Sequence, residues 1–422
     1  MIRNTNINAM KKNKILAFLF CMMAFLGSFG VLKYRGTSLF ILIQLVTVLY
    51  CVLIYKKVYF PLKAVRNIYI YLFISAFLAQ FSSMPQSYKS SAVYITVLLV
   101  PSYLCIGYLY RSARDNLSYF RIIRSALRVM CVVQLVWCVI ELMTYRVTGI
   151  DLNDLIFVKI LHTVNDASNF KLNQFMPTGF SHHPAVMAPI VVLAFFMFES
   201  PISKVIICVI GFCITNSTAV LGVCVCILYE LSKTIKNKST QIKKKRLFQI
   251  FVIICVGVFL VLATKAYEPL IDLMKNLYFR IFVSGYDSSS NAHKRYFTSY
   301  PDVISISSLP QILFGYGEGC SGYPFGVLFN QYTFLGNWSV ESTVMDYLIS
   351  RGIVGFIVSY FCLIRIALKG KKINKKYTVC MLIWILQGIT YQIQFDWLFF
   401  IEMVFYLAAS LNYDIFQGKE EN

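Results

Sequence analysis

The stretch VMCVVQLVWCVIELMTY fills residues 129–145, bracketed by Arg128 and Arg146. Within it only Gln134 and Glu141 are strongly polar. A helix at a water-facing surface carries a charged face opposite its apolar one, and this stretch has none. A bilayer-crossing helix needs about 20 mostly apolar residues, because lipid offers backbone polar groups no partner. Outward from this stretch the same pattern recurs. Hydropathy predicts twelve spans, at roughly 15–32, 37–55, 67–81, 92–110, 129–145, 184–199, 203–216, 217–231, 247–265, 352–368, 377–394 and 397–413. The expected fold class is therefore all-α: one polytopic integral membrane domain over 1–422, with about 12 transmembrane helices.

Composition leads to the same class. The chain is 58% hydrophobic and only 14% charged, with a mean hydropathy of +0.65. A soluble globular chain is about a quarter charged, so this one cannot clothe a water-facing surface in polar side chains. Nucleic-acid binding, a cytosolic enzyme and a disulfide-built secreted domain are excluded on that ground. The net charge of +21 reads as a topology signal. With the N-terminus in the cytoplasm, 28 of the 40 Lys and Arg residues fall on the cytoplasmic side, including the run Lys243-Lys244-Lys245-Arg246. That is the positive-inside bias, and an even number of spans keeps every basic run on one face, with both termini inside. Twelve of the 13 cysteines lie in apolar spans; only Cys320 falls in a long loop. No metal site is readable, and no cofactor is expected.

Two extracytoplasmic loops break the rule of short connections, one over 146–183 and one over 266–351 with short helices of its own. Loops of this length are usually functional. If one helix ran from Glu341 to Leu368, Arg351 would lie about 15 Å below its start, and a bare guanidinium at that depth is costly. The chain is expected to break at Gly352 instead. Residues 339–351 then form an outer-surface helix whose Glu341, Asp346 and Arg351 line a shallow polar cavity. Glu141, Gln134 and Gln44 are expected to make structural hydrogen bonds between helices.

Three short patterns accompany this layout. The first is Pro177-Thr178-Gly179-Phe180-Ser181-His182-His183-Pro184, leading into a span, with Met176 before it. The second is Arg295 followed by Leu313-Phe314-Gly315-Tyr316-Gly317-Glu318-Gly319. The third is Glu341-Ser342 leading to Arg351-Gly352-Ile353-Val354-Gly355. In order, spacing and membrane side they resemble the Wzy-type polysaccharide polymerases of the bacterial O-antigen polymerase and ligase superfamily, although Met176 stands where that family places an Arg. The resemblance implies a glycosyltransferase at the outer face of the inner membrane. It would transfer a growing glycan (O antigen, capsule or exopolysaccharide) from undecaprenyl pyrophosphate to a hydroxyl of a new lipid-linked repeat. Membrane lipids, a flippase and a chain-length regulator are the partners it implies.

That chemistry suits particular residues. A pyrophosphate leaving group calls for guanidinium clamps, since Arg binds phosphate bidentately. Arg295 and Arg351 are the catalytic candidates, with Arg280 and Lys294 binding substrate phosphate. The acceptor hydroxyl calls for a carboxylate: Glu341 first, as it stands in the matched motif, then Asp346. His183 at the outer interface is a donor to phosphate or sugar, and Trp338 a platform for sugar stacking. Two alternatives remain. An O-antigen ligase usually places a His before the tenth span, where Gly336-Asn337-Trp338 stands here. A lipid-linked oligosaccharide flippase would have short connections and two related halves.

Overall fold

A computed structural model describes residues 2–34, 37–59, 63–164, 170–171, 174–181, 186–214, 217–235, 296–329, 340, 342–371 and 375–389. The described chain is overwhelmingly helical. In order come α1 (Ile2–Leu26), α2 (Leu39–Tyr55), α3 (Lys63–Ala79), α4 (Gln86–Asp115), α5 (Ser118–Thr148), α6 (Met187–Met197), α7 (Pro201–Cys213) and α8 (Ser217–Ile235). Then follow α9 (Tyr300–Ile306), α10 (Leu309–Phe314), α11 (Gly322–Phe329), α12 (Thr343–Ser350), α13 (Gly352–Lys371) and α14 (Lys375–Gln387). Among the described residues, strands amount to two short antiparallel ladders. Lys33–Tyr34 pairs with Thr37–Ser38, and Phe170–Lys171 with Gln174–Phe175. A π-helical turn covers Asp154–Ile160.

Two described helices, α4 and α5, are long and apolar enough to cross a membrane. On α5 the residues Ile123, Leu127, Met130, Gln134, Cys138 and Glu141 are buried, while Val129, Val132, Val136, Val139, Met143 and Val147 are exposed. Within 129–145 the two strongly polar side chains, Gln134 and Glu141, are thus on the inner face while the exposed face is apolar, the reverse of a helix in water. Helix α2 repeats the inversion, with Gln44 and Thr47 buried and Leu45, Val46, Leu49 and Leu53 exposed. Of the stretches picked out by hydropathy, 247–265 and 397–413 lie outside the described residues.

The packing divides into two units. One is Met1–Gly27, Leu39–Ala126 and Ser289–Asn422; the other is Ser28–Ser38 and Leu127–Ser288. In the first, α2 packs on α1 and α4, α3 packs on α4 and α13, and α13 packs on α10, α12 and α14. A core of Met84, Tyr88, Ala92, Tyr316, Phe325, Met345 and Ile349 ties the short helices of the late loop to α4. In the second unit α6 is buried on every side, as expected of a helix apolar all round. Helices α7 and α8 approach it through glycines. A Cβ on Gly211 would stand 2.9 Å from Val191 Cγ1, and one on Gly222 would stand 2.8 Å from Val192 Cγ2.

Candidate functional site

Helix α10 opens on a capping box in which Ser308 and Gln311 each satisfy the other's backbone amide. It ends at Gly315, the first of three alternate glycines in Gly315-Tyr316-Gly317-Glu318-Gly319. Their φ angles are 84°, 97° and 75°, a region that L side chains avoid. The turn is pressed against its neighbours. A Cβ on Gly315 would lie 2.2 Å from the Ser350 carbonyl oxygen, and one on Gly319 would lie 2.0 Å from Ile95 Cδ1.

The turn seals the end of α12. The last carbonyls of a helix lack intrahelical donors, and here Tyr316 N donates to Ile349 O at 2.9 Å and Gly317 N to Ser350 O at 2.8 Å. From α3, the Ser75 hydroxyl donates to Ser350 O at 3.2 Å and to Phe314 O at 3.0 Å. The Tyr71 hydroxyl donates to Arg351 O. Helix α12 starts at Ser342, whose side chain accepts from Met345 N. It stops at Arg351 because Gly352 takes a left-handed φ of 65°, so the expected break between the short helix and α13 is present.

This construction carries Arg351 inward. The residue is 2% exposed and Glu318 is fully buried. Arg351 Nε donates to Glu318 Oε1. Its Nη1 donates to Ser359 Oγ at 2.8 Å, and its guanidinium carbon lies 3.6 Å from the centre of the Tyr347 ring. Burial is the largest single influence and works against the positive charge, but the Glu318 carboxylate together with Tyr347 and Tyr103 outweighs burial and holds the guanidinium above its ordinary range. Glu318 Oε2, by contrast, has no hydrogen-bond partner among the described residues. Asp346 is also fully buried; its Oδ1 accepts from the Ser321 hydroxyl, which in turn accepts from Val340 N at 2.9 Å. Cys320 Sγ donates to Tyr88 O at 3.2 Å, and burial pushes its thiol up to about 12.

One expectation needs correction: Asp346 and Arg351 do not line a shallow polar cavity. Both are turned into the packed interior, where Ser321 donates a hydrogen bond to Asp346 and Glu318 pairs with Arg351. Of the other candidates, His183, Arg280, Lys294, Arg295, Trp338 and Glu341 lie outside the described residues. Sequence reasoning missed Glu318 as the partner of Arg351. The available signal was a single carboxylate among the glycines of a turn that resembled a family motif.

The second unit fixes the other described motif. Consecutive amides of the Thr178–Ser181 segment are caught by two side chains of α5: Gly179 N by Glu141 Oε2 at 2.7 Å and Phe180 N by Gln134 Oε1 at 2.8 Å. Two residues seven apart share a helix face, which is why both reach one strap. Asn153 Nδ2 donates to Gly179 O at 2.7 Å and Trp137 Nε1 to Asn153 Oδ1 at 2.9 Å. The Phe180 ring stacks on Trp137 at 4.5 Å and on Phe29 at 4.7 Å. In the first unit, Ser102 Oγ donates to Gln44 Oε1 at 2.8 Å. Gln44 thus makes the bond between helices expected of it, whereas Gln134 and Glu141 hold the backbone of a non-helical strap instead of a neighbouring helix.

The chain matches no protein-family model and no curated protein sequence.

Proposed function

We propose that the protein is a polytopic glycosyltransferase of a bacterial inner membrane that polymerises lipid-linked oligosaccharide repeats. In this reading both termini are cytoplasmic and the long loops work at the outer face. The growing glycan leaves undecaprenyl pyrophosphate and is joined to a hydroxyl of the next lipid-linked repeat. A flippase supplies the repeats and a chain-length regulator acts alongside.

One observation carries the reading. The turn 313–319 and the segment 342–355, which belong to two separate patterns that resemble the polymerase family, are docked on one another. They share two backbone hydrogen bonds and a buried ion pair. Such an assembly in a loop beside apolar helices suits a site where charged chemistry proceeds away from bulk water. Since Arg351 is engaged with Glu318, clamping the pyrophosphate falls to Arg280 and Arg295, with Lys294 assisting. His183 and Trp338 serve the sugar and phosphate groups, and a carboxylate takes the proton of the acceptor hydroxyl.

The test is a glycan ladder from cells lacking the protein, complemented with wild type or with Arg295→Ala. Single repeats in the deletion strain, unrelieved by Arg295→Ala at normal protein level, support polymerisation and the clamp. Long chains stranded on the lipid carrier would instead identify a ligase. Repeats trapped at the cytoplasmic face would identify a flippase and overturn the catalytic assignments.

A further inference from the structure

The unpartnered Glu318 Oε2 has no structural explanation in the packing described above. Glu318 sits fully inside the first unit, and its other oxygen is held by Arg351 Nε. A polar oxygen buried without a hydrogen-bond partner is costly, and buried acceptors in folded proteins almost always have one. The other buried carboxylate of this region is engaged, with Asp346 accepting from Ser321. The Glu318 carboxylate is also held rigidly. It belongs to a turn whose three glycines are fixed against α4 and the end of α12, and Arg351 is itself anchored by Ser359 and Tyr347.

Building on the polymerase reading above, we infer that Glu318 Oε2 is the acceptor for the attacking sugar hydroxyl, making Glu318 rather than Glu341 or Asp346 the general base. Reaching it requires local displacement of the side chains that now cover it. The acceptor oxygen forms its bond to the donor's anomeric carbon as the bond from that carbon to the pyrophosphate oxygen breaks. The bonding electron pair leaves with the pyrophosphate. The hydroxyl proton passes to Glu318 Oε2 and then to solvent. Pairing with Arg351 keeps the carboxylate aimed. The proton moves late, once bond formation has made the hydroxyl acidic.

A buried carboxylate can also be retained solely for its ion pair, and the experiment separates the two roles. Membranes carrying wild-type protein, Glu318→Gln, Glu318→Asp, or the double variant Glu318→Gln with Arg351→Met are supplied with lipid-linked repeats extracted from the deletion strain. Polymer formation is measured at matched protein levels. The expected result is a loss of about 100-fold or more for Glu318→Gln, partial activity for Glu318→Asp, and no recovery in the double variant, which removes both buried charges and so relieves any folding defect. Near-wild-type polymerisation by Glu318→Gln, or its restoration in the double variant, overturns the inference and leaves Glu318 a structural partner of Arg351. If wild-type membranes make no polymer and the deletion leaves the cellular ladder unchanged, the polymerase reading itself fails and takes the inference with it.

Discussion

Arg351 and Glu318 are each costly without the other. Removing one member of a buried pair strands the remaining charge, whereas removing both is often neutral. Arg351→Met alone is therefore expected to destabilise the protein by about 3–5 kcal/mol, and the double variant by much less. The check is the temperature at which each loses its monodisperse peak in detergent; equal losses for single and double variants would show that the pair is not coupled. Cys320 gives a second prediction. Its thiol is pushed up to about 12 by burial, so at pH 8 it is protonated, and the thiolate is the reactive form. Site-resolved mass spectrometry after a short maleimide pulse should find Cys320 unmodified in the native protein and modified after unfolding. Fast native labelling would mean that this end of the first unit opens readily. The sequence singled out Arg351 and Asp346 because ionisable groups at a span boundary need a reason to be there. It did not pair Arg351 with Glu318, because partners 33 residues apart leave no trace in local spacing.

At the scale of elements, the glycine turn is where backbone conformation and close packing coincide. Gly315 and Gly149 both have positive φ, but a Cβ on Gly149 meets nothing within 4 Å while one on Gly315 runs into the Ser350 backbone. Gly149→Ala should therefore cost only the conformational penalty, about 1 kcal/mol. Gly315→Ala adds a clash with the α12 terminus and should cost several times more, lowering thermal stability and the yield of folded protein together. Similar losses for the two would place the cost in conformation alone. The break before α13 was readable, because a continuous helix would have sunk Arg351 into lipid and Gly352 is the residue type that most readily takes the left-handed cap conformation. The burial of the short helix was not readable. Its charges do not share one stripe, and the partners that let them turn inward, Ser321 and Glu318, lie on a separate stretch of loop.

At the scale of the whole molecule, hydropathy located the apolar helices well but did not fix how many cross. Only α4 and α5 pass on length and composition among the described residues. Helix α6, at 11 residues, is about 16 Å long and α7, at 13 residues, about 20 Å, both short of a hydrocarbon core of about 30 Å. Helical rise explains the gap: a run of apolar residues can just as well be a buried core helix, and α6 is buried on all sides. Charge makes the arrangement testable through parity. Between the 146–183 loop and the basic run at 232–246 lie three apolar stretches, α6, α7 and α8. An odd number of crossings puts that loop and that run on opposite faces; an even number puts them on the same face. The lysine-rich run belongs in the cytoplasm by the positive-inside bias, so the 146–183 loop is expected outside. Reporters active only in the cytoplasm or only beyond it, fused after Ile150 and after Lys245, read this directly. Opposite faces would uphold an odd number of crossings here and keep His183 on the face proposed above for joining lipid-linked repeats. A shared cytoplasmic face would remove the 146–183 loop and His183 from any outer-face site.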